Sequence, residues 1–231
     1  MAALLPDLQV LKGKYGRTKF LTNVRVGRDE EGHRVLRFSN AIANYGKGPL
    51  EVRGDLGAAR IVRGVRTVPA YQYILQTDGQ FRRRRIKSFG YDPDPDHAHW
   101  HYSGFAEYRL KRGGNVVVRS RKQAFCLVDI RHVRPDIPGS PSPREYPESG
   151  CERRTGTLRM GISIGWADVY YHYLHGQFID IDAVPAGIYW LESEVNPDKS
   201  LLVRHTGGNV ARVKIRLDSV GQTVKVRVLP G

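Results

Sequence analysis

Val210-Ala211-Arg212-Val213-Lys214-Ile215-Arg216-Leu217 decides the fold class. Ala211, Val213, Ile215 and Leu217 fall at every second position, with Arg212, Lys214 and Arg216 between them. Successive side chains of an extended strand point to opposite faces, so this spelling gives an inward apolar face and an outward cationic one. Working outward, Gly187 to Val195 and Thr223 to Leu229 alternate in the same way. Val35 to Asn44 reads as a strand, and the turn Tyr45-Gly46-Lys47-Gly48-Pro49 leads into another at Leu50 to Arg53. Tyr71 to Gln76 is closed by Asp78-Gly79, and Phe105 to Leu110 is joined to Val116 to Ile130 by the hairpin signal Arg112-Gly113-Gly114-Asn115. Arg134 to Gly150 holds five prolines and predicts an extended surface loop. Long helical periodicity appears nowhere. The expectation is an all-β chain, a single-domain β-sandwich over 1–231 with long irregular loops and a peripheral segment at 1–30.

A chain of 231 residues that is 40% hydrophobic is long enough for a sizeable core, and no apolar run approaches membrane-spanning length. The formal charge is +14, carried mostly by arginine. It implies an acidic partner, such as an anionic envelope polymer, nucleic acid or acidic patches on a substrate, or else a solvated basic surface. Phe81-Arg82-Arg83-Arg84-Arg85-Ile86-Lys87 could grip an anionic polymer. It lacks interleaved aromatics, so nucleic acid fits it less well, and a charge-protected edge strand fits it best. Met1 to Leu8 has neither a charged n-region nor an apolar core long enough for a secretion signal. Either the protein stays in the cytoplasm, or the chain starts after a removed leader and works outside the cell or in its envelope. Cys126 and Cys151 could form one bridge, worth about 3 kcal/mol in the chain-entropy model, or stay as two buried thiols.

Three of the eight histidines stand at every second position in Asp96-His97-Ala98-His99-Trp100-His101-Tyr102. On one extended strand His97, His99 and His101 would share a face and bring three imidazoles to one point. Imidazole without thiolate suits copper, zinc, iron or nickel. Further on, alternation through Val116, Val118, Ser120, Lys122, Ala124, Cys126 and Val128 puts Lys122 on the more apolar face, opposite Arg119, Arg121 and Gln123. A lysine there is expensive to bury unless paired, neutral or chemically used, and one near a strand end can snorkel to water.

The chain resembles the lysyl oxidase family in five blocks, all in the family's order. They are Leu36-Arg37-Phe38-Ser39-Asn40 with Asn44-Tyr45-Gly46; His97 to Tyr102; Lys122 to Asp129; Gly165-Trp166-Ala167-Asp168-Val169-Tyr170 running on to Gln177 to Ile181; and Pro185 to Tyr189 with Val195-Asn196-Pro197. The trimmed Gly165-to-Tyr170 form looks like the family's prokaryotic branch. The resemblance implies Cu2+ on His97, His99 and His101, and a lysine tyrosylquinone made from Lys122 and Tyr170. It further implies oxidation of primary amines, including peptidyl-lysine, by O2 to aldehydes, with ammonia and hydrogen peroxide released. A desolvated, neutral Lys122 amine is what attack on an oxidised tyrosine ring needs. Asp168, two residues before Tyr170 and on its face if the segment is extended, is the expected base. Where animal members carry a further histidine this chain has Glu107, which is either a base or simply exposed. His172 and His175 flank the quinone segment and read as surface residues. Two rival readings are a zinc-dependent hydrolase using the same triad with Glu107 or Asp168 as base, and a non-enzymatic basic sandwich that binds an anionic polymer through Arg82 to Arg85.

Overall fold

The computed structural model describes residues 1–94, 98–120, 122, 124–205, 209–220 and 223–230. Among them all sheets are antiparallel, and helix is limited to two short 3-10 turns, Leu56–Ala58 and Glu148–Gly150. No described helix is long and apolar enough to cross a membrane. The chain is all-β, as its alternation predicts.

The largest sheet runs Ala124–Phe125, Trp100–Ser103, Phe81–Tyr91, Val65–Leu75, Leu50–Asp55, Thr157–Ile162, with Arg60–Val62 also paired on Val65–Leu75. A five-stranded sheet runs Asn115–Arg119, Ala106–Arg112, Gly187–Val195, Val210–Val220, Thr223–Val228. A four-stranded sheet places Trp166–Tyr170 between Asn40–Asn44 and Arg131–His132, with Leu8–Val10 on the far side of Asn40–Asn44. The apolar faces meet in one cluster that joins Phe38, Trp100, Tyr108, Phe125, Leu191 and Ile215.

The register of Val210–Val220 follows its spelling. Val213, Ile215 and Leu217 are buried, Arg212 and Arg216 are exposed, and Lys214 is partly covered. The Gly113-Gly114 hairpin forms as expected, both glycines having positive φ in the two-residue turn that matches strand twist. Residues 1–30 are less peripheral than expected: Leu8, Phe20 and Leu21 are fully buried.

Two local expectations need correction. The strand expected over Val116 to Ile130 is not continuous: among the described residues it ends at Arg119, and the next strand is Ala124–Phe125. Of the face that the alternation implied, Val116 is 38% exposed, whereas Val118 and Cys126 pack against the core and Ser120 and Val128 are buried. The histidine stretch is not one strand either. The ladder begins at Trp100, and Ala98 turns through a left-handed φ of 32°. The arginine run is an edge, as expected. Phe81–Arg85 pairs on one side with Leu75–Tyr71, and only beyond the run do Phe89 and Gly90 pair on both.

Candidate active site

Trp100 is the anchor of the histidine segment. Its indole is buried and donates to the carbonyl of Arg153, while its backbone N–H donates to Cys151 O. With Trp100 turned into the core, His99 and His101 both reach the same cavity, their ring centroids 4.5 Å apart. Extended geometry at the strand's start brings them together, and the backbone N–H of Asp92 donates to His99 O. His101 is buried, with Nδ1 3.8 Å from Asp92 Oδ2. His97, the third expected ligand, lies outside the described residues.

Tyr170 and Asp168 share a face of the strand Trp166–Tyr170, which pairs along Asn40–Asn44. The Tyr170 hydroxyl donates to Cys126 O at 2.6 Å, and its ring meets Phe125 edge-on at 4.9 Å. Lys122 reaches the same ring from the irregular segment after Arg119. Its N–H donates to Ser120 Oγ, and that hydroxyl donates to Phe178 O. Lys122 Nζ then lies 5.4 Å from the Tyr170 centroid and 5.3 Å from that of Phe125. Lys122 is thus placed by a hydroxyl hook and two aromatic faces rather than by strand alternation.

The electrostatics of the three residues follow from burial. Desolvation lowers the Lys122 pKa, against the pull of Asp168 and Asp92. Burial, then the charge of Asp129, raises that of Asp168 well above the usual carboxylate range. Burial, then the charge of Asp168, raises the Tyr170 phenol. Neither carboxylate oxygen of Asp168 has a hydrogen-bond partner among the described residues, because the neighbouring phenol is committed to Cys126 O. Asn40, opposite Tyr170 in the register, also leaves both amide atoms unpartnered. Orphaned buried polar atoms mark a place where a ligand, ion or water belongs.

A cavity of about 500 Å³ collects His99, His101, Lys122, Asp168 and Tyr170. Cys126 and Cys151 form a disulfide in its wall. The bridge ties the two halves of the site together, since Cys126 O holds Tyr170 and Cys151 O holds Trp100.

Several residues fall otherwise than the sequence implies. Glu107 is outside the cavity, bound to Arg109 and Arg119 in an ion-pair network with Glu192 and Glu194. His172 stays apart from the cavity beside Ser39, while His175 lines the cavity and lies 3.3 Å from Glu30. Glu148 and Glu152 also line it and went unnoticed, because they come from a proline-rich loop that carries no periodic signal. Among the described residues the one cluster of three potential metal ligands is Asp29, Glu31 and His33. These side chains are tied to one another in an exposed turn.

The family model described as lysyl oxidase matches residues 83–227, more than half of the chain. Lysyl oxidase homolog 2 of Gallus gallus is 29% identical over 124 residues, covering 53% of this chain and 14% of the relative. Lysyl oxidase homolog 4 of Mus musculus is 29% identical over 133 residues, or 55% and 15%. Lysyl oxidase homolog 2A of Danio rerio is 27% identical over 127 residues, or 53% and 15%. The matched part is therefore about one-seventh of each relative's length. A match that runs from the arginine-rich strand through the histidine cavity to the last sheet places this chain in the lysyl oxidase family.

Proposed function

We propose that this chain is a single catalytic domain that oxidises primary amines, peptidyl-lysine among them, with copper and a quinone derived from its own Lys122 and Tyr170. The observation that carries the reading is the Lys122 amine 5.4 Å from the Tyr170 ring, inside a cavity that His99 and His101 also line. The donor set fits copper, being imidazole without thiolate, with His97 as the third ligand. The residues also fit a quinone, with a desolvated amine beside a phenol and an orphaned carboxylate next to both.

Copper and the quinone together supply an electron sink, so that amine, O2 and water become aldehyde, ammonia and hydrogen peroxide. The chain's own part is placement and proton handling. Burial favours the uncharged Lys122, whose lone pair is the group that can bond to carbon. Cys126 O and Phe125 fix the ring that Lys122 faces. Asp168, once ionised, is suited to take the proton from the carbon bearing the substrate amine, its raised pKa making the carboxylate a stronger base than an exposed one. Val128, Ile130 and Leu174 line the cavity with apolar surface and limit water there.

The disulfide suits an oxidising location, outside the cell or in its envelope. Arg82 to Arg85 form no ion pair among the described residues, which favours an anionic envelope polymer as an accessory partner. The decisive experiment is peptide mass spectrometry of protein expressed with copper. The expected result is a covalent link between the Lys122 and Tyr170 peptides, with peroxide released on adding an amine. Separate peptides and no peroxide overturn the reading; bound zinc with hydrolytic activity would favour a hydrolase.

A further inference from the structure

The arginine run has a partner strand whose aromatics its own sequence does not announce. Phe81 stands opposite Leu75, Arg83 opposite Tyr73 and Arg85 opposite Tyr71. On the far side of that strand, Arg53 stands opposite Tyr71. Val68, Ala70, Gln72 and Ile74 are buried on the core side, so Tyr71 and Tyr73 belong to the outer face of the sheet. Phe81, Arg83, Arg85 and Arg53 share that face by register.

The guanidinium groups there are held by rings. The guanidinium carbons of Arg83 and Arg85 lie 5.4 and 5.6 Å from the Tyr71 centroid. That of Arg53 lies 4.2 Å from the Tyr73 centroid and 5.5 Å from that of Phe81. Negative charge on this face is already answered. Buried Glu51 accepts from Arg53, from Arg159 and, at 2.7 Å, from the Tyr146 hydroxyl, while Asp55 caps the turn Leu56–Ala58. Arg83 and Arg85 are exposed and form no ion pair among the described residues. Arg109 is the opposite case, its donors spent on Glu107, Glu192 and Glu194. A ring orients a guanidinium through its π face and leaves the N–H fork free. Two such forks, two residues apart on one strand, stand roughly 7 Å from each other.

We infer that this outer face binds a linear polysaccharide bearing carboxylate or sulfate groups. Arg83 and Arg85 each take one anionic group through paired N–H donors, and Arg53 extends the track across the sheet. Planar forks match the paired oxygens of such groups, and the formal charge of +14 draws a polyanion in. Nucleic acid fits less well, because stacked bases need bare aromatic faces and guanidinium groups already lie over Tyr71 and Tyr73. This rests on the anionic-polymer reading and not on amine oxidation.

The test is calorimetric binding of the full chain to polygalacturonate, dextran sulfate, neutral dextran and poly(dT). Both charged polysaccharides should bind, neutral dextran should not, and affinity should fall steeply as sodium chloride rises from ~0.05 to ~0.5 M. The Arg83→Gln, Arg85→Gln double variant should bind about tenfold more weakly, two exposed charge contacts being lost. Arg60→Gln, Arg63→Gln removes the same charge from an exposed turn and should change Kd by no more than about twofold. Tyr71→Leu keeps every charge and should still weaken binding about threefold, since both forks lose the ring that orients them. The stronger polysaccharide arm identifies carboxylate or sulfate as the group recognised. Wild-type affinity in the Arg83, Arg85 variant, or an equal loss in the Arg60, Arg63 variant, overturns this face while leaving the polymer reading standing. Tighter binding of poly(dT) than of either polysaccharide overturns the choice of partner. No binding to any polyanion overturns the polymer reading itself.

Discussion

Asp129 and Asp168 are equally buried, at 0% and 1% exposure, and are opposites in every other respect. Asp129 accepts from the amides of Glu145, Tyr146 and Ser163 and from the Ser163 hydroxyl, and so pins the proline-rich loop to the sheets. Asp168 accepts from nothing among the described residues, and burial plus the charge of Asp129 drives its pKa up. A buried carboxylate with every lone pair answered is a fastening. One left unanswered is a cost to the fold, and such costs collect where chemistry is done. The contrast separates a region built for stability from one built for reactivity.

The largest expected effect lies on the reactive side. Tyr170→Phe and Lys122→Arg should each lower amine-dependent peroxide release by about a thousandfold or more while bound copper, measured by metal analysis, stays near the wild-type amount. Normal turnover in either variant would erase the distinction. On the other side, Asp129→Ala should cost about 4 kcal/mol in urea unfolding, because three amides and a hydroxyl lose a charged acceptor. A loss under 1 kcal/mol would make Asp129 no fastening at all. Replacing both Cys126 and Cys151 by serine should remove about 3 kcal/mol and reduce activity as well, since the bridge serves both regions.

The smallest effect is the most diagnostic. The folded chain keeps Asp168 protonated to a pH well above the unfolded value, so this group favours folding in acid and weakens it as pH rises towards the folded pKa. Asp168→Asn should therefore match the wild type near pH 3.5 and melt higher at pH 8, by ~3 °C for each kcal/mol recovered. A variant less stable at pH 8 than at pH 3.5, relative to wild type, would mean that Asp168 is held ionised by a partner.

The fold was legible where side chains obey a strict period. Val213, Ile215 and Leu217 fall inward as spelled, and Asp168 and Tyr170 share a face because their strand is regular. Legibility failed where the chain leaves the ladder. Lys122 was assigned to an inward face by extending a strand that ends at Arg119, and it reaches the interior through Ser120 and Phe178 instead. His99 and His101 converge, but only after a left-handed turn at Ala98 that alternation cannot encode. Glu148, Glu152 and His175 enter the cavity through long-range packing of loops, and no local spacing announces that.

On the amine oxidase reading, the disulfide comes first among the steps that complete the site. Until Cys126 and Cys151 close their loop, nothing covalent keeps the carbonyl that receives the Tyr170 phenol near the one that receives Trp100. On the quinone reading proposed above, thiol oxidation would come before oxidation of the ring, and molecules that miss the first step would be poor candidates for the second. Titrating residual sulfhydryls in a batch would then measure its competent fraction before any substrate is added.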